Sequence, residues 1–314
     1  MLNRRHLRIK VLQALYAYFQ SDEENYPRAE KEMMTALTKI YDLYLYFLLT
    51  FPEFKTISEN QFEERKKKIR PSDEDLNPNL KYINNRLITQ IEESFVINRD
   101  ANEQKVNWEG AENQELLRKV FTQIKESETY FSFMSNEMDS YEDDQSFMIE
   151  LFKEEIANSE ILYSHFEEEN INWIDDIDLV CSMVIKTLKN FTTESADILP
   201  LYKDKDDEIF FVKELLRKTI KMNQENESLI DELTKNWELD RIAKMDVILM
   251  KMAITEMQVF SNVPTKVTLN EYIEISKFYS TPKSNSFING VLDKAITRLT
   301  EENKINKVGR GLMN

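Results

Sequence analysis

Glycine, proline and cysteine are scarce in this sequence: its 314 residues include four, seven and one of them. So few glycines leave little room for tight hairpin turns, whereas Glu, Lys, Leu, Ile and Met, which helices accept readily, are frequent. The composition therefore predicts an all-α fold. The single cysteine, Cys181, excludes a disulfide within the chain. It lies in an apolar run typical of a buried thiol, which fits a reducing cytoplasm.

Residues that build catalytic and cofactor sites are scarce as well. The two histidines, His6 and His165, have no Cys or His partner at the spacing of zinc ligands. Neither GxxxxGK[ST] nor GxGxxG occurs, so the sequence lacks a Gly-rich phosphate-binding loop. Adjacent acids such as Asp143-Asp144 are typical of a solvated helix face. The sequence therefore predicts no catalytic residue, no metal and no cofactor.

Long apolar runs are also missing. No stretch approaches the length that spans a bilayer, and the basic N-terminus is not followed by an apolar segment of the signal-peptide type. We therefore expect a cytoplasmic protein without membrane contact.

Negative charge is abundant but unevenly distributed. The net charge is −16, which argues against nucleic acid, because phosphate binding depends on Lys and Arg. Residues 125–178, however, hold 17 acids and two bases, a net −15, and the remaining 260 residues carry only −1. A basic surface tens of ångströms from this segment can still attract a polyanion, because salt screens charge over roughly 10 Å.

Residues 4–19 have the period of an amphipathic helix. The apolar members of the pattern share one face: Leu7, Val11, Leu15 and Tyr16. Arg4, Arg5 and Arg8 lie towards the other face, which we expect to remain in water. Cations near a helix N-terminus oppose its dipole, so this cluster, without acids nearby in the sequence, indicates an external anion.

The middle of the chain contains an irregular segment and a repeat. A helix is expected over residues 30–49, and Pro52, Pro71 and Pro78 then predict a loop or domain junction that includes the basic run 65–70, which is more often a solvated face than an RNA contact. All three tryptophans follow an asparagine, at Trp108, Trp173 and Trp237, spaced 65 and 64 residues apart. This period predicts internal duplication of a helical unit. The predicted divisions are 1–50, 51–205 (acidic, repeated), 206–300 and a flexible tail, 301–314.

The C-terminal third has the clearest helical signals. Residues 247–257 are apolar almost all round, which predicts a core helix, and 287–299 form a second amphipathic stripe. Thr268 and Glu271 have the spacing of a capping box, which predicts that a helix starts at Thr268. Residues 280–286, between the helix that starts at Thr268 and the stripe 287–299, form a loop that is rich in hydrogen-bond donors. Gly290 disfavours a helix, and either close helix packing or the approach of a ligand would explain it.

Three sequence blocks resemble the NusB family. They are RRHLR (residues 4–8) with QALY (13–16), NWELDRI (236–242) with DVIL (246–249), and VPTKVTLNE (263–271) with SKF (276–278) and SNSFINGVLD (284–293). Two features depart from the family: Pro282-Lys283 replaces two acids, and residues 20–206 are far longer than the usual connection.

The resemblance implies a non-catalytic transcription antitermination factor, a bundle of two helical subdomains with inserted helices. It would bind the boxA element of nascent RNA together with the ribosomal protein NusE, in the transcription elongation complex that makes rRNA. The implied RNA contacts are Arg4, Arg5, His6, Arg8, Lys277, Ser280, Thr281, Lys283, Ser284 and Asn285. Tyr16 and Asp246 would face NusE, with the carboxylate of Asp246 exposed. Arginines beside a polar loop suit this role, since cations neutralise phosphates while Ser, Thr and Asn read unpaired bases.

Two other functions compete with this one. The acidic repeats could form a helical protein–protein scaffold for a basic partner, with the family part serving only as a fold. A similar helical module also occurs as the RNA-binding domain of rRNA methyltransferases, but the sequence lacks a Gly-rich, strand-alternating methyltransferase region.

Overall fold

The computed structural model describes residues 2–21, 25–234 and 242–308. Within these ranges the chain forms helices and no strand, which confirms the all-α prediction. The helices are α1 (Arg4–Gln20), α2 (Tyr26–Lys66), α3 (Asp73–Leu76), α4 (Arg86–Glu93), α5 (Phe95–Gln104), α6 (Ala111–Glu126), α7 (Glu128–Ser135), α8 (Tyr141–Leu151), α9 (Glu160–Glu169), α10 (Ile177–Asn190), α11 (Lys205–Lys221), α12 (Asn223–Leu233), α13 (Lys244–Val259), α14 (Thr265–Tyr279) and α15 (Ser284–Glu301). A π-helical turn follows α8, and a 3₁₀ turn precedes α10.

The chain divides into two compact units. The central unit comprises Thr38–Leu201, and the terminal unit comprises Leu2–Leu37 and Tyr202–Asn314. Helix α2 contributes residues to both units, so the domain boundary predicted after residue 50 falls inside a continuous helix. None of the helices in the described ranges is both long and apolar enough to cross a bilayer.

Helix α2 is longer than the sequence predicts. A loop was expected after residue 51, because Pro52 lacks the N–H that a helix interior needs. The helix nevertheless continues to Lys66, and the side chains of Phe51 and Phe54 on either side of the proline are fully buried. Burial of this apolar face outweighs the local cost, since helices in proteins depend more on packing than on propensity.

Two tryptophans attach the helices of the central unit to α2. The indole N–H of Trp108 donates to the Tyr46 carbonyl at 3.1 Å, and that of Trp173 donates to the Lys39 carbonyl at 2.7 Å. Both indoles also meet the Tyr46 ring edge-on, with centroids 5.1 and 5.7 Å away. The acceptors are seven residues apart, which places them two turns apart on one helix face.

Several helix starts recur at the spacing of the tryptophans. Helices α5 and α9 begin after Ser94 and Ser159, which are 65 residues apart, and each serine hydroxyl accepts from the N–H of the third helical residue. Helices α8 and α11 begin in the same way after Ser140 and Asp204, 64 residues apart. The order α4–α6 thus recurs as α8–α10 and α11–α13. Trp237 of the last copy lies outside the described residues.

Helix α13 is the core of the terminal unit, as predicted. Its apolar side chains are buried on all sides: Ile248, Leu249, Met250, Met252, Ala253, Ile254 and Met257. Helices α1, α11, α12, α14 and α15 all pack against it. The chain segments on both sides of the central unit therefore share one core.

Changing Trp173 to Phe removes the N–H that bonds to Lys39 and keeps an apolar ring. We expect the free energy of unfolding to fall by roughly 1 to 3 kcal/mol, because a partly buried hydrogen bond and some packing are lost. Urea unfolding followed by circular dichroism measures the change. The control Ile171→Ala, at an exposed neighbour, should alter stability by less than about 0.5 kcal/mol. Equal stability of Trp173→Phe and wild type would contradict the anchoring role.

Candidate nucleic-acid interface

Helix α1 begins with a capping box formed by Asn3 and His6. The Asn3 side chain accepts from the His6 N–H at 3.0 Å, and Nδ1 of His6 accepts from the Asn3 N–H at 3.3 Å. Burial, reinforced by the charge of Arg5, lowers the pKa of His6 to about 4. The imidazole is therefore neutral near pH 7. It brings a hydrogen-bonding group to this surface and no positive charge.

Arg4 and Arg5 are partly exposed and already paired with acids. Arg4 bonds to Asp207 of α11 at 2.5 Å, and Arg5 forms two bonds of 2.9 Å with Glu271 of α14. Their side chains remain 33% and 39% exposed. The sequence has no acid close to these arginines along the chain, and their partners come from helices distant in the sequence.

Arg8 is buried, with only 1% of its surface exposed. Its guanidinium donates to both carboxylate oxygens of Glu256 in α13, at 2.8 and 2.6 Å. Burial alone would lower the pKa of Arg8, but the hydrogen bonds and charge of Glu256 raise it above its usual range. The prediction that Arg8 lies on the wet face is therefore wrong. In this position it holds α1 against the core and cannot reach RNA.

Glu256 collects two further donors. Thr268 Oγ1 and Tyr272 Oη, both in α14, donate to its carboxylate at 2.9 and 3.0 Å. The predicted capping box therefore does not form: α14 begins at Thr265, the Thr268 hydroxyl serves Glu256, and Glu271 pairs with Arg5. The spacing was correct for a cap, but buried side chains use the same groups.

The polar loop is short and is held by hydrogen bonds to a buried residue of α13. It spans residues 280–283, since α15 already begins at Ser284. The carboxylate of Asp246 in α13 accepts from the hydroxyl of Ser280 and from that of Ser284, the latter at 2.6 Å. The hydroxyls of Thr281 and Ser284 are 2.7 Å apart. Asp246 and Ser284 are buried, so the exposed carboxylate expected to face NusE is instead the internal support of the loop.

The other residues implied as RNA contacts near the loop are accessible. Thr281 and Lys283 are exposed, and Asn285 is half-buried with its side-chain oxygen accepting from the Ser286 N–H. Lys277, in the last turn of α14, is exposed and pairs with Glu274. These groups could meet a ligand from solvent without unfolding the terminal unit.

Tyr16 is 40% exposed, although the periodicity placed it on the apolar face of α1. Tyr18 instead continues the buried row of that helix. One turn after Tyr16, the Gln20 side chain accepts from Lys244 at the start of α13, at 3.0 Å. Tyr16 therefore lies at the end of the terminal unit where α13 begins. That start, Lys244, is two residues before Asp246.

Gly290 is exposed, and a Cβ added to it would meet no described atom within 4 Å. Close helix packing therefore does not explain this glycine. No cluster of three or more His, Cys, Asp or Glu side chains in the described ranges could hold a metal ion.

The acids that pair with the arginines of α1 were not predicted from the sequence. Asp207 carried no signal for this role, since a carboxylate on a helix gives no indication of a partner more than 200 residues away. Glu271 had a signal, but one that pointed to a local cap. A search for charged residues inside apolar patterns would have found Glu256, which lies between the buried residues of α13.

The fold and this surface define an all-α protein whose arginine-bearing helix and polar loop are both fixed by buried carboxylates of one core helix. Residues 179–297 match the NusB family model, so this segment of the chain is similar to that family. The match includes α11–α14 and the polar loop, whereas α1 and most of the central unit lie outside it.

Three relatives illustrate the similarity, each a transcription antitermination protein NusB. That of Salinibacter ruber is 45% identical over 103 residues, which is 33% of this chain and 64% of the relative. That of Chloroherpeton thalassium is 39% identical over 117 residues (37% and 54%), and that of Natranaerobius thermophilus is 32% identical over 91 (29% and 66%). The chain thus spans between about half and two thirds of each relative. No solved structure matches it significantly.

Changing Arg8 to Met should destabilise the terminal unit by roughly 3 to 5 kcal/mol, because Glu256 then keeps a buried charge without its partner. Arg4→Met is the matched control, and we expect it to cost about 1 kcal/mol or less, since its ion pair is partly exposed. The double variant Arg8→Met/Glu256→Met should recover much of the loss. Chemical unfolding of the four proteins tests this, and equal effects of Arg4→Met and Arg8→Met would refute it.

Proposed function

We propose that this protein is a transcription antitermination factor that binds boxA-like single-stranded RNA together with the ribosomal protein NusE and supports rRNA transcription in the elongation complex. The names of its relatives support the antitermination role. The observation that carries the RNA assignment is a set of accessible cations, a hydroxyl and an amide on elements held by Glu256 and Asp246: Arg4, Arg5, Lys277, Thr281, Lys283 and Asn285. This function requires no catalytic group.

The arginines can change partners when RNA arrives. A phosphate presents two oxygens to a guanidinium much as a carboxylate does, and partly exposed ion pairs contribute about 1 kcal/mol or less. Arg4 and Arg5 can therefore exchange Asp207 and Glu271 for phosphates at small cost. Arg8 and Ser284 are buried, so they contribute to RNA binding only indirectly, by holding α1 and the loop in place. Neutral His6 can only exchange hydrogen bonds.

The loop is suited to reading bases. Ser280 and Ser284 donate to the Asp246 carboxylate and so hold the loop, in which Thr281 and Lys283 are exposed to solvent. Hydroxyl and amide groups on such a fixed loop can pair with the edges of unpaired bases, while Lys283 and Lys277 neutralise the backbone. The exposed backbone at Gly290 leaves space for a nucleotide beside them.

Replacing Arg4 and Arg5 together with Ala should weaken binding of a short boxA RNA and reduce its dependence on salt. Each phosphate contact on a single strand contributes about 0.7 to the slope of log affinity against log salt, so we expect the slope to fall by about 1.4. Fluorescence anisotropy at several salt concentrations measures both quantities.

The matched control for this experiment is Arg65→Ala/Lys67→Ala, which removes the same charge from exposed positions of the central unit. It should leave affinity and slope nearly unchanged. Equal losses in both double variants would indicate a general effect of net charge and contradict the site. If the wild-type protein binds a basic protein through its acidic segment and does not bind RNA, the result would favour the scaffold function.

Tyr16→Ala should weaken binding of NusE by about tenfold or more while leaving the helical content unchanged, because an exposed tyrosine that packs on a partner is a typical interface anchor. Tyr163→Ala is the control, since its ring is similarly exposed (43%) in the central unit. Calorimetric titration with NusE compares the variants, and equal affinities would remove Tyr16 from the interface. Asp246 is unsuitable for this test, because its replacement would release the loop.

A further inference from the structure

Phe278 in the last turn of α14 has a side chain that is 78% exposed, more than any other aromatic side chain in the described ranges. It forms no ring–ring or cation–π contact with the described residues. The residues that α14 buries, among them Tyr272 and Ile275, lie on another face of the helix. Phe278 therefore adds nothing visible to the packing of the terminal unit.

The ring lies next to the cations of the proposed RNA surface. Phe278 follows Glu271 by seven residues and Glu274 by four, a spacing that places all three side chains on one face of α14. Glu271 holds Arg5, and Glu274 pairs with Lys277. The same face of α14 thus presents a bare ring one turn from a carboxylate–lysine pair and two turns from Arg5.

This arrangement matches the chemistry of single-stranded nucleic acid. Single exposed apolar side chains are common and need no explanation by themselves. A flat ring beside two carboxylate–cation pairs is different, because sites for single strands combine aromatic rings, on which bases stack, with basic groups along the backbone. Glu274 and Lys277 lie within one turn of the ring, so the surface is too charged for an apolar protein partner.

We propose that Phe278 is a stacking platform for one unpaired base of the bound RNA, placed between phosphates held by Arg5 and Lys277. The proposal rests on the RNA-binding function above. Stacking requires an unpaired base and tolerates any of the four, so Phe278 would select single-stranded over double-stranded RNA and contribute little to sequence preference.

The test compares full-length wild type, Phe278→Ala and Phe278→Trp in binding a short single-stranded boxA RNA. Phe278→Ala should weaken binding by about fivefold to a hundredfold, the range for the loss of one stacked base, and Phe278→Trp should retain it. The salt dependence should remain that of the wild type, since no charge is removed. With 2-aminopurine placed in turn along the RNA, one position should lose fluorescence on wild type and not on Phe278→Ala.

Phe131→Ala is the matched control, because it removes the same side chain, 69% exposed, from the central unit. It should bind RNA as the wild type does. Wild-type affinity of Phe278→Ala, or an equal loss in Phe131→Ala, would overturn the stacking role and leave the proposed function standing. A loss of NusE binding alone in Phe278→Ala would overturn it in favour of a protein contact. Absence of RNA binding by the wild type would overturn both proposals.

Discussion

The terminal unit depends on one buried ion pair. Glu256 of α13 accepts four hydrogen bonds, two from Arg8 and one each from Thr268 and Tyr272, and thereby joins α1, α13 and α14. A buried pair of charges stabilises little compared with apolar residues, but it is very costly to break. It therefore fixes which helices meet and in which register. Together with the buried apolar row of α1, this pair gives the exposed arginines of that helix a defined position.

A second carboxylate of the same helix fixes the polar loop. Asp246 lies ten residues before Glu256, and it bonds to both serines that bracket the loop. Helix α13 thus carries one internal acid for each half of the candidate surface. These two buried acids hold the elements that carry accessible groups such as Arg5 and Lys283. This agrees with the rule that a binding side chain must be held in place by packed, hydrogen-bonded neighbours.

Local patterns in the sequence predicted the parts of the structure that depend on local physics. The all-apolar run of α13 and the amphipathic period of α1 gave the correct helices, because burial follows the 3.6-residue period. The pairing of Arg8 with Glu256 and the burial of Asp246 could not be predicted, because they depend on contacts between distant segments. Pro52 failed as a helix breaker for the same reason: the packing of α2 is set by residues far away in the chain.

The separation of Arg8 from Glu256 has a consequence for folding on the ribosome. The two residues are 248 positions apart, and the central unit lies between them in the sequence. At typical rates of synthesis, Arg8 precedes its partner by roughly 12 to 50 seconds, long enough for most of the central unit to emerge and fold. During that time α1 has neither its ion pairs nor its apolar core. Helix α1 is synthesised before the central unit and is thus among the last helices to reach its native surroundings.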